Sequence, residues 1–138
     1  MISPRRRSRV YVWAAFVCAI ASLPATLSSH HSFTAEFDSK KPVTLTGTLT
    51  KLEWMNPHAY LYVDVPDGGA AANWAVELGS PNGLTRLGWR RTTLQVGERI
   101  TIEGTLARFK PHLANARSVT VVATGQQLGA ASSEKTTP

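Results

Sequence analysis

The sequence predicts an all-β protein: a five-stranded OB-like barrel with one short helix between its third and fourth strands, behind an N-terminal signal peptide. Three observations carry this prediction. Apolar and polar side chains alternate through five short segments, the pattern of strands with one buried face. A serine-proline helix start falls between the third and fourth of those segments, which is where an OB-fold keeps its helix. The first residues follow the three-part layout of an export signal, with a basic stretch, an apolar run and a small-residue region.

Residues 1–29 form the predicted signal peptide and cleavage region. Arg5, Arg6, Arg7 and Arg9 supply the basic stretch, Val10 to Ile20 the apolar run, and small residues with Pro24 follow. The apolar run is too short to span a bilayer; carried on to Leu27 it would reach spanning length, but Ser22, Pro24 and Thr26 interrupt it. Several cut points fit, after Ala21, after Ala25 or just before His30. The only cysteine, Cys18, lies inside this region, so the mature chain has no disulfide. Val17 before it and its place within the apolar run also make it a poor lipid-attachment site. Residues 30–42 read as an extended polar arm with two isolated aromatics, Phe33 and Phe37, ending in Lys40-Lys41-Pro42.

The barrel domain spans 43–124. In the first strand, Val43 to Trp54, the apolar parity switches from Val43, Leu45 and Leu49 to Leu52 and Trp54, with Gly47 between. A strand that changes face midway must bulge or bend, which is how a small sheet closes on itself. Ala59 to Val65 forms the second strand, with Leu61, Val63 and Val65 inward and Tyr60, Tyr62 and Asp64 outward, and Pro66-Asp67-Gly68-Gly69 turns the chain. Asn73 to Leu78 forms the third, with Trp74, Val76 and Leu78 in phase. Ser80-Pro81 starts a helix that runs to about Leu87. Arg99 to Leu106 and Arg117 to Val122 supply the last two strands. Residues 125–138, rich in Gly, Ala, Ser, Thr and Gln, read as a disordered tail.

The formal net charge of +6 raises nucleic acid or anionic membrane as partners. Its distribution removes that argument. With the four arginines of the signal set aside, 11 basic residues face 9 acidic ones, and no nucleic-acid partner is expected. Membrane contact is expected only through an uncleaved signal. Nothing in the chain matches a nucleophile elbow, a zinc-protease His-Glu-x-x-His, a phosphate-binding loop or a dinucleotide fingerprint, so a non-enzymatic binding protein is the expectation. Asp64 and Glu77 are expected to approach each other as a solvated pair across the second and third strands.

The histidines are the informative set. His30 and His31 lie in the arm, His58 between the first two strands and His112 between the last two. In an OB-fold those two loops border one ligand face, so His58 and His112 could converge, with His112 the weakest member. Imidazole nitrogen suits copper and zinc, and cleavage before His30 would add an α-amino nitrogen, which favours copper. A transition-metal site of His30, His31 and His58, possessing copper first and zinc second as its ion, is one expectation. The other is a metal-independent interaction or structural module of the cell envelope, docking a protein partner through a face that carries Tyr60 and Tyr62. Trp54 and Trp74 follow the apolar phase and belong to the core.

Four segments carry a resemblance: His30-His31-Ser32-Phe33 with Glu36-Phe37-Asp38; Glu53-Trp54-Met55-Asn56-Pro57-His58; Glu77-Leu78-Gly79-Ser80-Pro81-Asn82; and Ala114-Asn115-Ala116-Arg117-Ser118-Val119. In this order they resemble an uncharacterised family of small exported proteobacterial proteins, a domain of unknown function. The resemblance runs from His30 to about Val122. It implies a periplasmic or secreted location and no particular activity. Family members typically carry an alanine directly before the His-His pair, whereas this chain has Ser28-Ser29.

Overall fold

A computed structural model describes residues 32–134. The predicted signal peptide, together with His30 and His31, lies outside the described residues. Within them the chain forms α1 (Ser32–Glu36), β1 (Phe37–Glu53), β2 (Tyr60–Asp67), β3 (Ala70–Glu77), α2 (Pro81–Arg86), β4 (Arg99–Ala107), β5 (Leu113–Val121) and β6 (Gln127–Gly129). The all-β class and the position of the helix between the third and fourth strands agree with the sequence.

The sheet order is β3-β2-β1-β4-β5-β6, and a further pairing of β3 with β5 closes the first five strands into a ring. Every neighbouring pair is antiparallel except β3–β5, which is parallel and short, joining Ala75, Val76 and Glu77 to Leu113, Ala114 and Asn115. The strand order is the one an OB-like fold has, and the ring is held shut at one seam by three residue pairs.

Closure depends on the irregularities of β1. The β1–β2 register shifts between Leu49 and Lys51, where the buried phase passes from Leu45 and Leu49 to the half-buried Leu52 and Trp54. The parity switch in the sequence is therefore a bulge at Thr50. Gly47 lies so near β2 that a Cβ there would sit 2.3 Å from the backbone oxygen of Asp64. A side chain at this position would hold the two strands apart. Another shift, between Glu103 and Gly104, leaves Arg117 as an extra residue that bulges β5 and lets its buried phase pass from Ala114 and Ala116 to Val119 and Val121.

Inside the ring, Leu61, Val63, Val76, Ile100, Ile102 and Val119 are fully buried. Each such side chain contributes about 1.5–3 kcal/mol by leaving water. Ser80 caps α2, its hydroxyl accepting from the Gly83 N–H at 3.2 Å with Pro81 at the first helical position. The helix and the segment after it bring Leu84, Trp89 and Leu94 into the same core. Trp54 and Trp74, expected in that core, are half-buried and pack against it.

Three expectations are corrected. The arm of residues 30–42 is not simply extended: Phe33 and Phe37 stack with ring centroids 5.3 Å apart and bury themselves with Ala107 and Leu113 in a small second core, so a helical turn forms and β1 begins at Phe37. The fifth strand begins at Leu113 rather than Arg117, since Ala114 and Ala116 are buried strand residues too small to show an apolar phase. The tail expected to be disordered from residue 125 contains β6, which pairs Gln127, Leu128 and Gly129 with Thr120, Val119 and Ser118. Leu128 and Ala130 are buried, and the buried Trp89 indole donates to the Gly129 carbonyl at 2.8 Å, which ties the strand down. Residues 135–138 lie outside the described residues.

Candidate functional site

Alternation along β2, β3 and β5 turns Tyr60, Glu77 and Asn115 to the outer side of the ring, away from Leu61, Val76, Ala114 and Ala116. That side is covered. The second core built by α1 packs against Tyr60 and Ala75, and the chain after β6 passes the same region, with the Gly79 N–H donating to the Ala130 carbonyl at 2.8 Å. Glu77 and Asn115 are consequently buried, at 4% and 0% exposure, although both are polar.

A buried carboxylate is costly unless its oxygens are hydrogen-bonded. Glu77 has two hydrogen-bond donors and an imidazole nitrogen close by. The Tyr60 hydroxyl donates to Oε2 at 2.7 Å, and the Asn115 Nδ2 and the His58 Nδ1 reach Oε1 at 3.2 and 3.0 Å. Strand register brings the first two there, since Tyr60 pairs with Glu77 across β2–β3 and Asn115 pairs with it across β3–β5. His58 arrives from the loop before β2, where the Asn56–Pro57 peptide is cis and the Ala59 N–H bonds the Gly79 carbonyl at 3.1 Å. With Nδ1 turned to Glu77, a neutral ring whose proton sits on Nδ1 leaves the lone pair on Nε2. The His58 side chain is 31% exposed, so this buried carboxylate holds an imidazole that reaches the surface.

The environment also acts on Tyr60. Burial, the hydrogen bond to Glu77 and that carboxylate's charge push its phenol well above the ordinary tyrosine range. Tyr62, on the same side of β2, donates to Glu53 Oε2 at 3.0 Å, and that bond raises its phenol above the ordinary value. Glu53 is held below the usual carboxylate range by its hydrogen bonds with Lys51 and Tyr62, and the Lys51 ammonium lies 5.2 Å from the Tyr62 ring centre. Both tyrosines are thus half-buried and bonded to carboxylates.

The expected pair of Asp64 and Glu77 does not form. Register sets Asp64 opposite Asn73, whose Nδ2 donates to it at 2.7 Å, and Glu77 opposite Tyr60. The expected convergence of His58 with His112 also fails. His112 lies edge-on to Trp74 with centroids 5.2 Å apart, on the core-facing phase of β3, whereas His58 meets Glu77 on the other phase. Its backbone is left-handed, with φ 51°, and its carbonyl accepts from the Ala75 N–H at the barrel seam. Among the described residues no group of three His, Cys, Asp or Glu side chains is arranged to hold a metal ion. Two of the three histidines expected to do so, His30 and His31, lie outside the described residues.

Glu77 and Asn115 are the members that sequence reasoning missed. The outward phase of Glu77 was readable from the alternation of Trp74, Val76 and Leu78, that of Asn115 was not, and only the tertiary structure puts α1 and the chain after β6 over that face.

Among the described residues no helix is long and apolar enough to cross a membrane. Comparison with curated proteins and with solved structures returns no match. A family profile does match, over residues 17–112, taking in the His30-His31 arm, the Asn56-Pro57-His58 loop and Glu77 while ending before β5. The chain belongs to the family of unknown function DUF6152.

Proposed function

We propose that this protein is an exported, non-enzymatic binding protein that takes a transition metal, copper before zinc, through His58 and the arm histidines His30 and His31. One observation carries the reading: Nδ1 of a partly exposed histidine, His58, lies 3.0 Å from an oxygen of a buried carboxylate, Glu77. Metal-ligating histidines characteristically donate their second nitrogen to a carboxylate, which fixes the ring and raises its basicity.

The anchoring of the arm supports the same reading. Phe33 and Phe37 are buried, and the core they build packs against Tyr60, two residues from His58 and bonded to the same Glu77. His31 and His30 precede Phe33 by two and three residues in the sequence. Less ordering entropy then opposes binding than for a free tail. Export rests on the basic and apolar layout of residues 1–29 and on the resemblance to small exported proteobacterial proteins. The alternative, a metal-independent envelope module docking through Tyr60 and Tyr62, has less support, because both hydroxyls are already bonded to carboxylates.

Calorimetric titration of the processed protein with copper(II) and zinc(II) tests the proposal, after intact mass has fixed the N-terminus. The expected result is one copper per chain, bound more tightly than zinc and lost in a His30→Ala, His31→Ala, His58→Ala triple variant. Equal affinity in the variant would remove the metal site and favour the docking module.

A further inference from the structure

Behind His58 the polar row continues inward and ends on the segment after β6. Asn115 is fully buried, and both ends of its side-chain amide are engaged. Its Nδ2 donates to Glu77 at 3.2 Å, and its Oδ1 accepts from the Ser132 hydroxyl at 2.5 Å. The direction of each bond is forced. An ionised carboxylate only accepts, so the amide must present its NH₂ to Glu77 and its oxygen to Ser132. Ser132 must then spend its single proton on Asn115, while its oxygen accepts from the Glu134 N–H at 3.0 Å.

The segment that carries Ser132 is itself fixed at several points. A Cβ on Gly79 would lie 2.1 Å from the Ala131 backbone oxygen, so the chain passes Gly79 without room for a side chain. Ala131 adopts a left-handed φ of 50°. The Glu134 carboxylate accepts from the Thr105 hydroxyl at 3.0 Å and lies 3.6 Å from Arg117.

We infer that the C-terminal segment is a latch on the candidate metal site: Ser132 and Asn115 are positioning residues that orient Glu77, and through it the imidazole of His58. Docking of residues 130–134 holds the carboxylate in the rotamer that faces Nδ1 of His58. Undocking frees the Asn115 amide to turn, and the carboxylate with it. The metal-affinity part of this inference rests on the function proposed above; the coupling of Ser132 to His58 does not.

The experiment compares wild type, Ser132→Ala and Ser132→Thr, the last retaining the hydroxyl. Two quantities are read: the ¹⁵N resonances of the His58 imidazole in metal-free protein, and copper(II) affinity by calorimetry. Ser132→Ala is expected to move the His58 nitrogen signals and to weaken copper binding about tenfold, the low end for groups behind a metal ligand, with Ser132→Thr close to wild type. Unchanged His58 signals in Ser132→Ala would overturn the latch, whatever the copper result. Shifted signals in a protein whose wild type binds no copper would uphold the latch and discard the metal site.

Discussion

Glu77 is the residue on which the outer face turns. Its oxygens accept from the Tyr60 hydroxyl and the Asn115 amide, so Glu77→Ala would leave the fully buried Asn115 Nδ2 unpaired at about 1–3 kcal/mol and take the partner from the half-buried Tyr60 hydroxyl. A fall in the urea midpoint at unchanged slope checks the loss. Glu77→Gln keeps the shape but puts a donor where only acceptors serve, and we expect a copper affinity 10–100-fold weaker. Tyr60 gives an independent reading of the same contact. Because its folded pKa is raised above the unfolded value, its contribution to stability is present below pH 10 and is lost as pH climbs through the folded value. Absorbance titration of the folded protein should show Tyr60 still un-ionised where a free tyrosine is half-ionised, and Tyr60→Phe should remove that delayed step. The sequence announced the outward phase of Tyr60 and Glu77 through simple alternation. It did not reveal that they are covered, since alternation reports which face a residue takes and not what later segments lay across it.

At the level of elements, β1 and α1 carry the consequences. The change of face between Leu49 and Leu52 was legible as a bulge because apolar parity is a local property of the strand. Gly47→Ala is expected to cost about 1–3 kcal/mol, the usual range for overpacking, since the added methyl meets the Asp64 backbone rather than a yielding side chain. Thermal unfolding would measure it. The short helix was equally legible from Ser80 and Pro81, which act on the helix start alone. The arm was not, because two phenylalanines in a polar stretch look isolated until their distant partners, Ala107 and Leu113, are known. Phe37→Ala removes a ring that is 1% exposed and should cost about 3–5 kcal/mol. Copper affinity, measured well below the unfolding midpoint, is expected to weaken with it as the arm loses its anchor.

For the whole molecule, closure of the ring and the docking of its C-terminal end are one problem. The parallel seam of β3 with β5 spans three pairs, and the segment after β6 lies beside it, against Gly79 and Asn115. A chain ending at Thr124 would lose β6, uncover Val119 and Trp89, and leave the Trp89 indole without its Gly129 acceptor. Such a chain should unfold at markedly lower denaturant than the full one and bind the dye ANS. The element order of the barrel was readable because each strand declares itself over a few residues. The role of the C-terminal end was hidden by composition, since Gly, Ala and Ser suit a disordered tail and a closely packed strap equally well.

Copper(II) electron paramagnetic resonance of the processed protein examines the union of arm and loop most directly. Hyperfine splitting from several nitrogens is expected in the wild type, with one imidazole missing from the pattern in His58→Ala. Identical spectra from the two proteins would mean that His58 is not a ligand and that Glu77 holds it for some other purpose.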